Sequence, residues 1–202
     1  MVSVFQIWPG AAWESRLHLG VAVTPVFTRG PGLLAMSIAA LAEVADGRFT
    51  MGLGASSAPV VQRWNGIAYE KPYARTRDVL RFVKRALDGE KIDHVYETFE
   101  VHGFKLSRPV IERPPILLGA LRPGMLRLAG QEADGAILNW LGADDVAQCR
   151  AEVGGYDEQA RRALHRTAND LVVSDGERLR GVPPLARTRR RIGTDVGGVG
   201  GR

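Results

Sequence analysis

The chain has one cysteine, Cys149, and no second thiol for it to meet. Neither an intramolecular disulfide nor a cysteine-based metal centre is open to it, and a lone thiol fits a reducing compartment. No stretch approaches the roughly 18 to 20 apolar residues that span a membrane. Met1 to Gly10 also lacks the basic, then apolar, then small pattern of a secretory signal. A cytoplasmic protein without a membrane partner is expected. The four histidines form no catalytic or ligating group: His18 opens a strand, His94 and His102 fall in a hairpin region, and His165 lies in a basic tail. No HExxH, paired-Cys or paired-His spacing occurs, so no metal is expected, and the catalytic residues cannot be named from the residues alone.

Acidic residues are scarce at one end only. Ala160 to Arg202 holds ten arginines against four acidic residues, a surplus of six, which leaves a net of minus one for everything before it out of a total of +5. The basicity therefore belongs to the tail. Arg187 to Arg191 has no interleaved aromatics, and no aromatic residue follows Tyr156. A nucleic-acid partner is not expected. Gly176 to Arg202 shows no clear apolar period, so residues 161–202 are expected to form a disordered basic tail, set apart from a folded domain over residues 1–160.

What is present is the balance of a soluble globular protein, 45% hydrophobic and 24% charged. Leu17 to Val23 is a short apolar run ending in Thr24-Pro25 and reads as a buried strand. Pro31 opens a helix that Asp46-Gly47 stops, and Phe49 to Leu53 is the next strand. Pro72 to Leu87 repeats apolar residues at helical spacing. Glu97 to Leu106 alternates around His102-Gly103 and suggests an inserted β-hairpin. Pro115 to Ala120, Pro123 to Gln131 and Gly135 to Trp140 continue as strand, helix and strand, with a further helix from about Ala143. Four strands each followed by a helix indicate a parallel α/β sheet, and periodicity does not separate a barrel from an open doubly wound sheet.

The most informative stretch is Gly47 to Ser57, GRFTMGLGASS. Gly52 and Gly54 permit another group to come close to the backbone, and Gly54-Ala55-Ser56-Ser57 offers small residues with amides and hydroxyls suited to a phosphate. A simple small-residue turn explains the same run. It is not the dinucleotide fingerprint GxGxxG, because Ser57 stands where the last glycine would be.

Together with LGVAVTPVFTR (Leu19 to Arg29), the helix opening Pro31-Gly32-Leu33-Leu34-Ala35, and PILLGALRPGMLRLAGQEADGAILNW (Pro115 to Trp140), this run resembles the luciferase-like monooxygenase superfamily over Ala12 to Tyr156, and within it the branch that uses coenzyme F420. The resemblance implies an α/β fold: a partial (β/α)8 TIM barrel without its first strand or its C-terminal strands. The absent first strand would take with it the family's usual acid/base group. The strand ending at Thr24-Pro25 would be the third of the barrel, whose end in this branch carries a bulge, often with a non-proline cis peptide, behind the deazaflavin ring. Thr24 and Pro25 are then ring-side candidates. Gly54, Ala55 and Ser56 at the end of the fourth strand, with Ala120 and Leu121 at the end of the fifth, are phosphate-side candidates, since barrel sites occupy the carboxyl ends of strands. Asn139 and Trp140 are candidates to face a small-molecule substrate. The implied activity is hydride transfer between coenzyme F420 and an organic substrate, in a protein that resembles homodimeric relatives. FMN is the alternative cofactor, and a catalytically inert fragment or small binding subunit is the alternative role.

Overall fold

The computed structural model describes residues 18–138 together with Cys149, Ala151 and Val153. Four strands form one parallel sheet: β1 (Leu19–Pro25), β2 (Phe49–Gly54), β5 (Ile116–Gly119) and β6 (Gly135–Ile137). Between β2 and β5 the chain makes an antiparallel hairpin of β3 (Ile92–Val95) and β4 (Glu100–Phe104). The helices are α1 (Pro31–Ala45), α2 (Pro72–Leu87) and α3 (Pro123–Glu132), with one π-helical turn at Pro59–Arg63.

Spatial order across the sheet, β1-β2-β5-β6, follows chain order without a reversal. A doubly wound sheet reverses direction at a switch point, so the unreversed order is that of a singly wound arc, as in a barrel wall. Alternation along the strands makes two faces. Phe49, Met51 and Leu53 of β2 and Ile116 and Leu118 of β5 are fully buried, in one cluster with Leu34, Ile38 and Leu41 of α1, Val79, Phe82 and Val83 of α2, and Leu126 and Leu128 of α3. Each such side chain contributes roughly 1.5 to 3 kcal/mol on burial. The intervening positions, Gly52, Gly54 and Gly119, turn a nearly bare backbone to the other face.

All three helices carry a proline in the first turn and none has a side-chain cap at its N-terminus. Proline loses nothing there, because the first amides of a helix have no partner within it. Helix α1 stops as expected at Asp46-Gly47, with both residues left-handed, at φ 46° and 73°, and the Asp46 amide bonded to the Ala42 carbonyl. Strand and helix boundaries otherwise fall within about two residues of the sequence reading, except that the strand expected over Gly135 to Trp140 ends at Ile137, and α2 matches it end for end.

The hairpin is displaced from its expected position. Its turn is Tyr96 to Phe99, closed by the Tyr96 amide on the Phe99 carbonyl at 2.8 Å, and His102-Gly103 lies inside β4. Gly103 takes φ 66° and donates its amide to the Asp93 carboxylate, so its glycine conformation serves an irregularity in the ladder and not the turn. What fixes the true turn is distant in sequence. Buried Asp78 of α2 accepts the Thr98 amide and hydroxyl, each at 3.0 Å, while the Phe82 ring meets Tyr96, Phe99 and Phe104.

Cys149, Ala151 and Val153 are helical, and Cys149 and Val153 are buried in the same core. The rest of that helix, the expected end of the last strand at Trp140 and the basic tail at 161–202 lie outside the described residues.

Candidate active site

At the carboxyl end of β1 the ladder to β2 slips. Val21 pairs with Met51, but the next pair is Thr24 with Leu53, so β1 uses three residues where β2 uses two. The extra residue makes a bulge at Ala22-Val23, and the peptide joining these two residues is cis. The bulge sends Val23 across the inner face of the sheet. A β-carbon added at Gly54 would lie 2.7 Å from Val23 Cγ2, and one at Gly119 would lie 3.1 Å from Val23 Cγ1. At Gly52 it would meet the Val21 carbonyl oxygen, Ile137 Cδ1 at 2.5 Å and Val23 Cγ1 at 3.2 Å. The group that approaches Gly54 is therefore a side chain of the neighbouring strand, whereas Gly52 is approached first by the Val21 backbone and by Ile137 of β6, with Val23 beyond them. Three missing side chains let one valine lie flat, giving an apolar wall across the mouth of the arc.

Around this wall stand the residues singled out by sequence. Thr24 is buried, and its hydroxyl has no hydrogen-bond partner among the described residues. Leaving such a group unpaired costs about 1 to 3 kcal/mol. Pro25 stands opposite Gly54, and the Gly54 carbonyl accepts the Val26 amide at 3.0 Å. Ala55 is half-buried, and Ser56 is exposed with φ 64°. At the end of β5, Ala120 is buried with its amide donated to the Ile137 carbonyl at 3.1 Å, and Leu121 is exposed just before the N-terminus of α3. The ends of β1, β2 and β5 thus bring Thr24, Pro25, Gly54, Ala55, Ser56, Ala120 and Leu121 to one edge of the sheet. Asn139 and Trp140 lie outside the described residues.

The loops beyond these strand ends are held by aromatic residues and one arginine that sequence patterning did not single out. Tyr69 donates its hydroxyl to the Ser56 carbonyl at 3.2 Å, and its ring lies 5.0 Å from that of Phe27. Arg75 of α2 stands over the rings of Phe27 and Phe99 at 6.0 and 4.8 Å, and donates to the Val26 and Thr98 carbonyls. Burial draws the Arg75 guanidinium below the ordinary arginine value, with nearby Asp78 opposing the shift, and burial raises the Tyr69 phenol. No local motif announces these roles, because their partners are 13 to 49 residues away in sequence. No group of three or more metal-ligating side chains occurs among the described residues, and no described helix is long and apolar enough to cross a membrane.

The family model for the luciferase-like monooxygenases matches residues 10–174. The chain belongs to this family. Within it, the chain is 33% identical over 124 residues to a 5,10-methylenetetrahydromethanopterin reductase of Archaeoglobus fulgidus, a match covering 61% of this chain and 36% of that one. It is 32% identical over 133 residues to an F420-dependent glucose-6-phosphate dehydrogenase of Kineococcus radiotolerans, covering 63% and 39%. The fold superposes on the coenzyme F420 dependent tetrahydromethanopterin reductase of Methanopyrus kandleri with a TM-score of 0.69 at 20% identity, over 86% of this chain and 53% of that structure. The matched length is well under two thirds of each relative. The luciferase-like family and the fold comparison agree with the singly wound order of the sheet: the four parallel strands are part of a TIM barrel.

Proposed function

We propose that this luciferase-like chain carries part of the site of an oxidoreductase that moves a hydride between coenzyme F420 and an organic substrate. The observation that carries the reading is the bulged end of β1. There Val23 lies flat over Gly52, Gly54 and Gly119 beside a buried Thr24 hydroxyl that has no partner among the described residues. A planar, largely apolar ring needs such a surface, and a polar ring edge needs such a hydroxyl, so the residues present fit the group. The F420 dependence of the Kineococcus and Methanopyrus relatives favours the deazaflavin over FMN.

When bound, the deazaflavin supplies the hydride chemistry at its C5 carbon, and the protein supplies position and polarity. Val23 and the backbone of Gly52 and Gly54 back the ring and keep water from that face. Thr24 gives a hydrogen bond. Gly54, Ala55 and Ser56, with Ala120 and Leu121, line the phosphate side near the N-terminus of α3, where the helix dipole favours an anion. Ala120 contributes shape there, since its amide is already bonded to Ile137. Asn139 and Trp140, just after β6 in the sequence, are assigned to the small-molecule substrate by the family resemblance alone. The reading locates the reaction in the cytoplasm, where a lone cysteine stays reduced.

Titration of the purified chain with F420 and with FMN, following coenzyme fluorescence and protein melting together, tests this. Saturable F420 binding tighter than FMN binding is the expected result, with Thr24→Val weakening it roughly three- to tenfold and Thr24→Ser restoring it. A folded chain that binds neither coenzyme overturns the reading, and tighter FMN binding overturns the choice of cofactor.

A further inference from the structure

Helix α2 sits behind the sheet, yet one of its side chains reaches the loop that continues the ring-side end of β1. From the middle of the strand end outward, Val26 gives its amide to the Gly54 carbonyl and offers its own carbonyl to Arg75 Nε at 3.4 Å. The same guanidinium donates through Nη1 to the Thr98 carbonyl at 3.2 Å and stands over the Phe27 and Phe99 rings, at 6.0 and 4.8 Å. Phe27 in turn meets Tyr69, which holds the Ser56 carbonyl, and Phe99 stacks on Tyr96 at 4.7 Å. One cation thus joins three segments far apart in sequence: the loop after β1, the loop after β2 and the tip of the β3–β4 hairpin.

We propose that Arg75 is a positioning residue for the coenzyme site, a clasp that fastens the loop after β1 onto the hairpin tip and so fixes the bulged wall at Val23-Thr24-Pro25 from behind. Two features single out this arginine from its neighbours. Arg77 and Arg81 pair with carboxylates, whereas Arg75 donates to two backbone carbonyls and stands over two aromatic rings. Such use needs a planar fork that stacks, which lysine does not provide. Its reach is also selective: Val26 stands two residues beyond Thr24, so slack at the Val26 carbonyl passes directly to the unpartnered hydroxyl. Arg81 of the same helix is the built-in comparison, because it pairs with Glu132 and touches neither the loop after β1 nor the hairpin tip among its described hydrogen bonds.

The proposal rests on the coenzyme reading for its consequence but not for its geometry, so two readouts are needed. Hydrogen exchange of the full chain without ligand, compared for wild type, Arg75→Met, Arg75→Lys and Arg81→Met, reads the clasp itself. Arg75→Met is expected to speed exchange at the amides of residues 26–30 while leaving β2 and β5 protected, and Arg75→Lys to restore little. F420 titration then reads the consequence. Arg75→Met is expected to weaken binding roughly tenfold, whereas Arg81→Met, which breaks only the pair with Glu132, leaves affinity little changed. Unchanged exchange at 26–30 in a folded Arg75→Met chain overturns the proposal, as does full rescue by lysine or an equal loss of affinity in Arg81→Met. If the wild-type chain binds no coenzyme, the functional reading falls while exchange still decides the clasp.

Discussion

The flat placement of Val23 over three glycines makes a quantitative prediction about Gly54. Nothing in its backbone forbids alanine, since Gly54 is not in the left-handed region, so the cost of Gly54→Ala is steric. The new β-carbon would lie 2.7 Å from Val23 Cγ2, about 1 Å inside an ordinary carbon contact. The other Val23 methyl lies over Gly119 and Gly52, which limits its retreat. Overpacking of this kind costs about 1 to 3 kcal/mol. For a chain of this length, about 2 kcal/mol is a fall of roughly 4 to 8 °C in Tm. Val23→Ala removes two methyls from a half-buried side chain and costs about 1 kcal/mol. In the double variant the Cγ2 contact is gone, and the remaining contact, to Val23 Cβ at 3.5 Å, is ordinary. The pair is therefore expected to be more stable than the sum of the single variants by about 2 kcal/mol in urea melts with a common m value. Gly52→Ala provides the control, because its first obstacle is the Val21 carbonyl oxygen, a backbone atom that Val23→Ala cannot move. Additivity within about 0.5 kcal/mol for Val23 and Gly54, or equal rescue of Gly52→Ala, refutes the described wall.

Two electrostatic predictions differ in kind from that one. Arg81 holds Glu132 with two hydrogen bonds, at 2.6 and 2.7 Å, but its side chain is 50% exposed, so Arg81→Ala is expected to cost less than about 1 kcal/mol and less still at high salt; a large, salt-independent loss in urea melts would show that α2 and α3 depend on this pair. Hydrogen bonds from Arg77, first, and Lys71 hold the Glu97 carboxyl below its ordinary value. A carboxyl depressed in the folded state contributes stability that is complete above its unfolded value and disappears as pH falls through the folded value. Glu97→Gln is therefore expected to lower stability modestly at neutral pH and to converge with the wild type at acid pH, so that the acid limb below about pH 5 is flatter; an unaltered acid limb would refute the assignment.

The elements that could be read from sequence are those fixed by neighbours. Prolines at Pro31, Pro72 and Pro123 open helices because the missing amide is redundant there, and Asp46-Gly47 closes one because left-handed backbone suits them. The apolar period of Pro72 to Leu87 gives α2 its buried face, end to end. What local chemistry cannot report is winding. A strand buried on both faces looks the same in a barrel and in an open sheet, and only the order β1-β2-β5-β6 separates them. The hairpin shows the complementary failure: Gly103 has the positive φ that a turn would use, but the turn goes to Tyr96 to Phe99, where Asp78 and Phe82 of α2 supply the partners.

The candidate site divides along the same line. The residues at the strand ends, Thr24, Pro25, Gly54 and Ala120 among them, were legible because a parallel α/β arrangement brings its strand ends to one edge whatever surrounds them. Glycines in Gly52-Leu53-Gly54 announced that something comes close, but a missing side chain records only the room and never its occupant. At Gly54 that occupant is Val23, delivered by a one-residue bulge on the next strand, and at Gly52 the Val21 carbonyl oxygen and Ile137 Cδ1 come closer still, so the glycines support the wall that a ligand would meet. Arg75 was silent for the same reason: an arginine on a helix reads as solvated surface until the rings of Phe27 and Phe99 are found beneath it. Close approach can therefore be inferred from composition at one position, whereas the identity of the approaching group, on which any mechanism depends, has to be found across the fold.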